Sequence, residues 1–255
     1  MRTFTAFVRQ PTPAFTRAIS SHAKKDSIDF PKALSQHQAY VEALRNAGGR
    51  IVQAPNIEDC PDQPFVEDVA VVCKGVALAC PMREPTRQPE APSLLNQLED
   101  LLAVKFPPET VWLDGGDALA TDRHIFVGQS KRSNAEAIPA LQALTNKTVV
   151  GVDVLRGLHL KSAASYLADN TLLVDPLGVD TEQFKDYKML EVCEEESYAA
   201  NGIALGDAYL MPSGFPETHA LLRESGLFQR IVELEMSEFE KADGGLTCLS
   251  IIVPD

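Results

Sequence analysis

Apolar positions recur at helical spacing over residues 31–47, PKALSQHQAYVEALRNA. This spacing puts Ala33, Leu34, His37, Tyr40, Val41, Leu44 and Ala47 on one face. Pro31 suits a first turn, and Gly48-Gly49 suits a stop. A short strand is expected at 51–55. Two strand-like runs follow, FVEDVAVVC at 65–73 and VALACP at 76–81, with Lys74-Gly75 between them as a hairpin signal. The same order then recurs. A helix at 92–104 precedes an extended segment at 110–113, GGDALAT, a turn at Asp122-Arg123 and HIFVGQ. A helix at 134–144 precedes TVVGVDV, HLKSAASYLA, a turn at Asp169-Asn170 and TLLVD. A less distinct helix near 180–187 precedes MLEV, SYAANGIAL, a turn at Gly206-Asp207 and AYLMP. The last helix, near 216–226, precedes RIVELEM and LTCLSIIV. That final run is expected to pair with TFTAFVRQ at residues 3–10 and close a ring.

The spacing of comparable positions supports a repeat. Asp68, Asp114, His159, Asn201 and Cys248 each stand near the start of a strand, with successive gaps of 46, 45, 42 and 47 residues. Five units in 255 residues average 51, a propeller-like period for a supersecondary unit of strands and a helix. The competing architecture is an ordinary doubly wound α/β sheet. No low-complexity linker divides the chain, so residues 1–255 are expected to form one catalytic domain. In a ring of such units the strand starts share one axial end. An acid, a base and a thiol far apart in sequence would then meet there.

Composition narrows the partners. The chain is 45% hydrophobic with a formal net charge of −13, which disfavours nucleic acid and anionic membrane surfaces. No run of about 18 apolar residues exists to span a membrane. The N-terminal stretch has no continuous apolar core of the secretory type. The five cysteines, Cys60, Cys73, Cys80, Cys193 and Cys248, are odd in number and irregularly spaced, with no CxxC pair. They read as thiols in a reducing cytoplasm, not as a disulfide framework or a zinc site.

Particular residues carry the candidate chemistry. Cys248 follows Asp243-Gly244-Gly245, where two glycines let the backbone bend near a ligand. Alone it would pass for an inert buried thiol. His159, between two leucines, would pass for a core histidine. Asp114-Gly115-Gly116-Asp117 would pass for a solvated turn. Glu67-Asp68 is more informative, because two acids interrupt a run otherwise fit for burial. A buried charge without a partner costs several kcal/mol, so either a basic residue of the fold or a cationic ligand must meet them. Arg132 stands at a strand-to-helix junction.

Taken in order, several stretches resemble the dimethylarginine dimethylaminohydrolases of the guanidine-modifying superfamily. They are Gln36 to Tyr40, Phe65 to Val69, Leu113 to Asp117, Gly128 to Asn134, Leu158 to Ser162, Glu194 to Asn201 and Asp243 to Ser250. The resemblance runs nearly end to end and implies a five-bladed α/β propeller of ββαβ-type units. It implies Cys248 as nucleophile, His159 as general acid and base, and Asp114 as the carboxylate that orients the histidine. It implies Asp68 and Glu67 at the guanidinium, and Asp62, Arg87 and Arg132 at the amino-acid end. Ile19, Ala242 and Asp243 match further pocket positions. The implied reaction releases citrulline and a methylamine from methylated arginine through a covalent thiouronium, without metal or organic cofactor.

The chain departs from the family pattern before the pocket arginine, reading Cys80-Pro81-Met82-Arg83-Glu84-Pro85-Thr86-Arg87. Arg87 aligns best with the role there, and Arg83 is the alternative. Where some relatives have a second thiol, this chain has Asn201-Gly202. An arginine deiminase or another guanidine hydrolase on the same core, and a non-catalytic module binding a cationic amino acid, are the competing functions. The expected partner is a small cationic amino acid; a homodimer is left open.

Overall fold

The computed structural model describes residues 3–255. Strand β1 (Phe4–Val8) is followed by helix α1 (Phe30–Asn46) and β2 (Gly49–Gln53). Asp29 caps α1 by accepting from the Lys32 amide, Pro31 fills the first turn, and Gly48 takes φ 96° beyond the last turn. The predicted stripe is the buried face, with Ala33, His37, Tyr40, Val41 and Leu44 turned inward against Phe4, Phe15 and Phe239.

The second unit is β3 (Ala70–Cys73), β4 (Val76–Ala79), α2 (Ala91–Leu98) and β5 (Ala103–Lys105). The third is β6 (Ala118–Ala120), β7 (His124–Gln129), α3 (Ala137–Gln142) and β8 (Thr148–Asp153). The fourth is β9 (Ala164–Tyr166), β10 (Thr171–Val174) and β11 (Lys188–Glu191). The fifth is β12 (Ile203–Leu205), β13 (Ala208–Pro212), α4 (Pro216–Ser225) and β14 (Arg230–Leu234). After the short helix α5 (Ser237–Glu240), β15 (Ile251–Pro254) returns to β1.

The described residues thus form a mixed α/β fold of five three-stranded sheets. Each sheet repeats one pattern: the first strand antiparallel to the second, and the second parallel to the third. The remaining sheet, that of the first unit, is assembled from both chain ends. β15 pairs antiparallel with β1, Phe4 opposite Pro254 and Phe7 opposite Ile251, and β1 pairs parallel with β2. The expected closure of the last strand onto the first is therefore present. The hairpin at Asp169-Asn170 is also as expected. Both residues have positive φ, 47° and 59°, which short polar side chains tolerate.

Five segments differ from the sequence pattern. Residues 65–73 do not form one long strand: Val66–Val69 tighten into a 3-10 turn before β3. The same occurs at Glu194–Ala200 and at Thr247–Leu249. An extended ladder offers the acids of the first segment no partners, whereas a turn aims them at donors. The third strand of the second unit is Ala103–Lys105, not residues 110–113. Val111 and Leu113 are buried around half-exposed Trp112, so their alternation reports in-out packing without a ladder. The helix expected near 180–187 is a single 3-10 turn, Thr181–Phe184, anchored by buried Phe184.

A cavity of about 650 Å³ is lined by residues from all five first strands, including Val71, Leu119, Ser165, Ile203 and Ile252. Glu67, Lys161 and Thr247 also line it.

Candidate active site

Every first strand is entered through a tight turn, and these turns adjoin one another in space. Asp68 lies within the first, Asp114 and His159 immediately precede the second and third, Asn201 follows the fourth, and Cys248 lies within the fifth. The spacing found in the sequence thus marks the same entry turn five times, with the residue within it or at one of its ends.

His159 is buried. Its Nε2 is 3.1 Å from Asp114 Oδ2 and its Nδ1 is 3.9 Å from Asp68 Oδ1. Burial pulls the imidazole pKa down, but Asp68, the hydrogen bond to Asp114 and nearby Asp117 outweigh it and lift it to about 9. The ring is therefore an imidazolium at neutral pH. Asp68 is held low, at about 2. Burial would raise it, but His159 and Arg87 prevail, helped by a 3.0 Å hydrogen bond from the Gly116 amide. Asp114 Oδ1 is buried without a partner, leaving one free acceptor in the site.

Gly116 permits this approach. A β-carbon there would stand 2.6 Å from His159 Nδ1 and 3.0 Å from Asp68 Oδ1. Gly116→Ala is expected to displace the imidazole and reduce turnover by about 100-fold. Steady-state kinetics checks this, and wild-type turnover in the variant would contradict it.

Cys248 is partly exposed, and its Sγ accepts from the Gly245 amide at 3.4 Å. Burial of the sulfur, reinforced by Glu67 and Asp68, pushes the thiol up to about 12. The free protein therefore holds a neutral thiol together with an imidazolium.

The fold itself supplies cations for both strand-interrupting acids. Lys161 Nζ lies 2.6 Å from Glu67 Oε1, and the Thr247 hydroxyl donates to Glu67 Oε2 at 2.8 Å. Arg87 is buried and fully engaged: it donates to Asp68 at 2.6 Å, to the Phe65 carbonyl at 2.9 Å and to Glu90 at 3.0 Å. Arg83 is exposed, stacked 4.6 Å over Trp112, and donates to the Lys131 carbonyl at 2.8 Å. It thus stands beside the Arg132 segment. Arg132 reaches Asp114 at 3.5 Å.

The remaining candidates gather around the segment Ile19 to Ser21. Asp62 is buried, accepts from the Ile19 amide at 3.2 Å, and is pushed up to about 6 by burial. Ile19 is largely exposed. Asp243 has φ 54° and accepts from the Ser21 amide and hydroxyl at 2.6 and 2.9 Å, while adjacent Ala242 is buried. The Asp243 side chain thus tethers the segment that carries Ile19.

Sequence reasoning assigned no role to Lys161, Thr247, Glu90 or Asp117. Asp117 accepts from the Leu160 amide at 2.9 Å and from the hydroxyls of Ser130 and Ser133 at 2.6 Å each, fixing the His159 turn. Its place in the Asp-Gly-Gly-Asp turn was the available signal. Lys161 and Thr247 had only their adjacency to His159 and Cys248.

Asp68, Asp114 and His159 bring ligand atoms within 4.8 Å of one another, a set able to hold a metal ion. Arg87 and Arg132 already place positive charge on those carboxylates. The donor set therefore suits a planar N–H donor better than a bare divalent cation.

A buried imidazolium among carboxylates, with a thiol on the turn packed against that of Asp68, defines the class: a candidate thiol-dependent catalytic centre for a cationic substrate. Comparison with known proteins makes it specific. A family model described as eukaryotic N,N dimethylarginine dimethylhydrolase matches residues 6–173. The N(G),N(G)-dimethylarginine dimethylaminohydrolase of Pseudomonas aeruginosa is 34% identical over 239 residues, 91% of this chain and 92% of the relative. That of Streptomyces coelicolor is 35% identical over 252 residues, covering 96% and 95%. The solved structure of the Pseudomonas aeruginosa enzyme complexed with citrulline superposes with a TM-score of 0.91, at 28% identity over 99% of each chain. The chain belongs to the dimethylarginine dimethylaminohydrolase family.

Proposed function

We propose that this chain hydrolyses Nω-methylated arginine to citrulline and a methylamine through a covalent intermediate on Cys248. Family membership supports the reaction. The observation that carries the assignment of residues is the His159 imidazolium, held between Asp114 and Asp68, with the Asp68 turn packed against that of Cys248.

The substrate guanidinium is planar, cationic and rich in donors, so carboxylates are its natural partners. Asp68 Oδ1 and the free Asp114 Oδ1 are the acceptors that the fold leaves most available. A bound cation opposes the carboxylate field that keeps the Cys248 thiol protonated, so binding favours loss of the thiol proton to solvent. The thiolate attacks the central guanidinium carbon. His159 gives its proton to the departing methylamine as the carbon–nitrogen bond breaks, leaving a thiouronium on sulfur. Neutral His159 then takes a proton from water, whose oxygen attacks the same carbon. Cleavage of the carbon–sulfur bond releases citrulline.

At the other end of the substrate, Asp62 suits the ammonium group, and Arg132 with exposed Arg83 suits the carboxylate. Arg87 instead acts through Asp68. The five sheets are the blades of a propeller about the cavity that their first strands line, and residues 1–255 act as one catalytic domain. Five unpaired cysteines fit a reducing cytoplasm.

A substrate panel tests the function. Asymmetric dimethylarginine and monomethylarginine are expected to yield citrulline with dimethylamine and methylamine respectively, faster than arginine yields ammonia. Faster arginine turnover would assign the chain to deimination. No citrulline from any of the three, at high enzyme concentration, would overturn the proposal.

A further inference from the structure

Asn201 is 4% exposed, and its amide is fully satisfied. Its Oδ1 accepts from the Thr247 backbone amide at 3.1 Å. Its Nδ2 donates to the Lys161 carbonyl at 2.7 Å and to the Thr247 hydroxyl at 3.0 Å. Lys161 belongs to the turn that His159 begins, and Thr247 precedes Cys248. One side chain thus ties the turn of the base to the turn of the thiol.

The tie is part of a closed circuit. Thr247 Oγ1 donates to Glu67, Glu67 holds the Lys161 ammonium, and the Lys161 carbonyl returns to Asn201. Four turns from four units are joined through side chains of which Asn201 alone bonds to the backbone on both sides. Gly245 is shaped to it, since a β-carbon there would lie 2.5 Å from the Asn201 carboxamide. Only a primary amide of this length offers an acceptor and two donors together. Aspartate would lose both donations and place a further carboxylate near Glu67. Alanine would leave the Thr247 amide without its partner.

We infer that Asn201 is a positioning residue that sets the Cys248 sulfur against the His159 imidazole without touching substrate. The inference rests on the proposed roles of those two residues. Its consequence is selective. Protonation of a departing amine by His159 demands close registry between the two turns, because a displacement of an ångström can cost about 100-fold. A thiolate leaving group departs without that proton, so the same displacement affects it less.

The experiment compares Asn201→Ala and Asn201→Asp with wild type in single-turnover assays. One substrate is asymmetric dimethylarginine, and the other is its S-methyl isothiourea counterpart, which releases methanethiol. The expected loss is about 100-fold in dimethylamine release, with KM little changed, and under about 10-fold in first-turnover methanethiol release. Equal losses on both substrates, or none, overturn the inference. Should the alanine variant fail to fold by circular dichroism, the near-isosteric aspartate variant carries the comparison. Wild-type enzyme and Cys248→Ser run alongside. An inactive wild type, or an active Cys248→Ser, indicts the underlying mechanism; an active wild type with unimpaired Asn201 variants indicts this inference alone.

Discussion

Cys248→Ser is expected to abolish citrulline formation, with a loss of about 10⁴-fold or more in turnover and with the fold intact. A guanidinium carbon is a poor electrophile, because its positive charge is spread over three nitrogens. A thiolate attacks it; a serine hydroxyl, far harder to ionise in the same carboxylate field, does not. Loss of a nucleophile from a catalytic unit removes orders of magnitude of rate while leaving binding contacts in place. The substitution is structurally mild. Cys248 lies in a 3-10 turn with one hydrogen bond to its sulfur, the 3.4 Å contact from Gly245, and serine accepts there equally well. Thermal unfolding is therefore expected within a few degrees of wild type, and calorimetry is expected to retain binding of asymmetric dimethylarginine. Residual activity above about one part in a hundred would mean that the thiol is not the nucleophile.

His159→Gln is expected to reduce turnover by about 10²- to 10⁴-fold and to change the shape of the pH profile. The sign follows from the direction of the shift. The imidazole is raised from 6.5 to about 9, so it carries its proton through neutrality and loses it as the pH rises through about 9. Protonation of the departing amine is lost with it, and wild-type turnover is expected to fall on that alkaline side. Glutamine preserves a donor toward Asp114 but has no such titration, so the fall near pH 9 should vanish from its residual activity. A persisting fall would assign the acid to another group. Stability follows the same linkage. The contribution of His159 to folding is complete below its ordinary value of 6.5 and disappears as the pH rises through about 9. Thermal melts of wild type should accordingly decline over that interval more than those of the variant.

The difference between Arg87 and Arg83 illustrates how a site departs from its sequence. Both stand within one loop, and either fitted a role at the amino-acid end of a substrate. Burial separates them. Arg87 is sequestered by Asp68 and Glu90, where an uncompensated guanidinium would be costly, whereas Arg83 lies on the surface over Trp112. Glu67 makes the same point. An acid inside an apolar run signalled a buried cationic partner. That the partner is Lys161, 94 residues along the chain, depended on which turns adjoin.

Local pattern by itself determined the recurring order of elements, the hairpin turns, the closure of the last strand onto the first, and the five positions at which Asp68, Asp114, His159, Asn201 and Cys248 stand. These are legible because helical and strand periodicities, glycine turns and charges in apolar runs are short-range features. The tertiary structure alone decided that those positions lie in or flank 3-10 turns, that Asn201 ties the thiol's turn to the histidine's, and that the acids are held at different protonation tendencies. Hydrogen-bond partners and desolvation depend on groups brought together from separate units, and neither quantity exists until the sheets have packed.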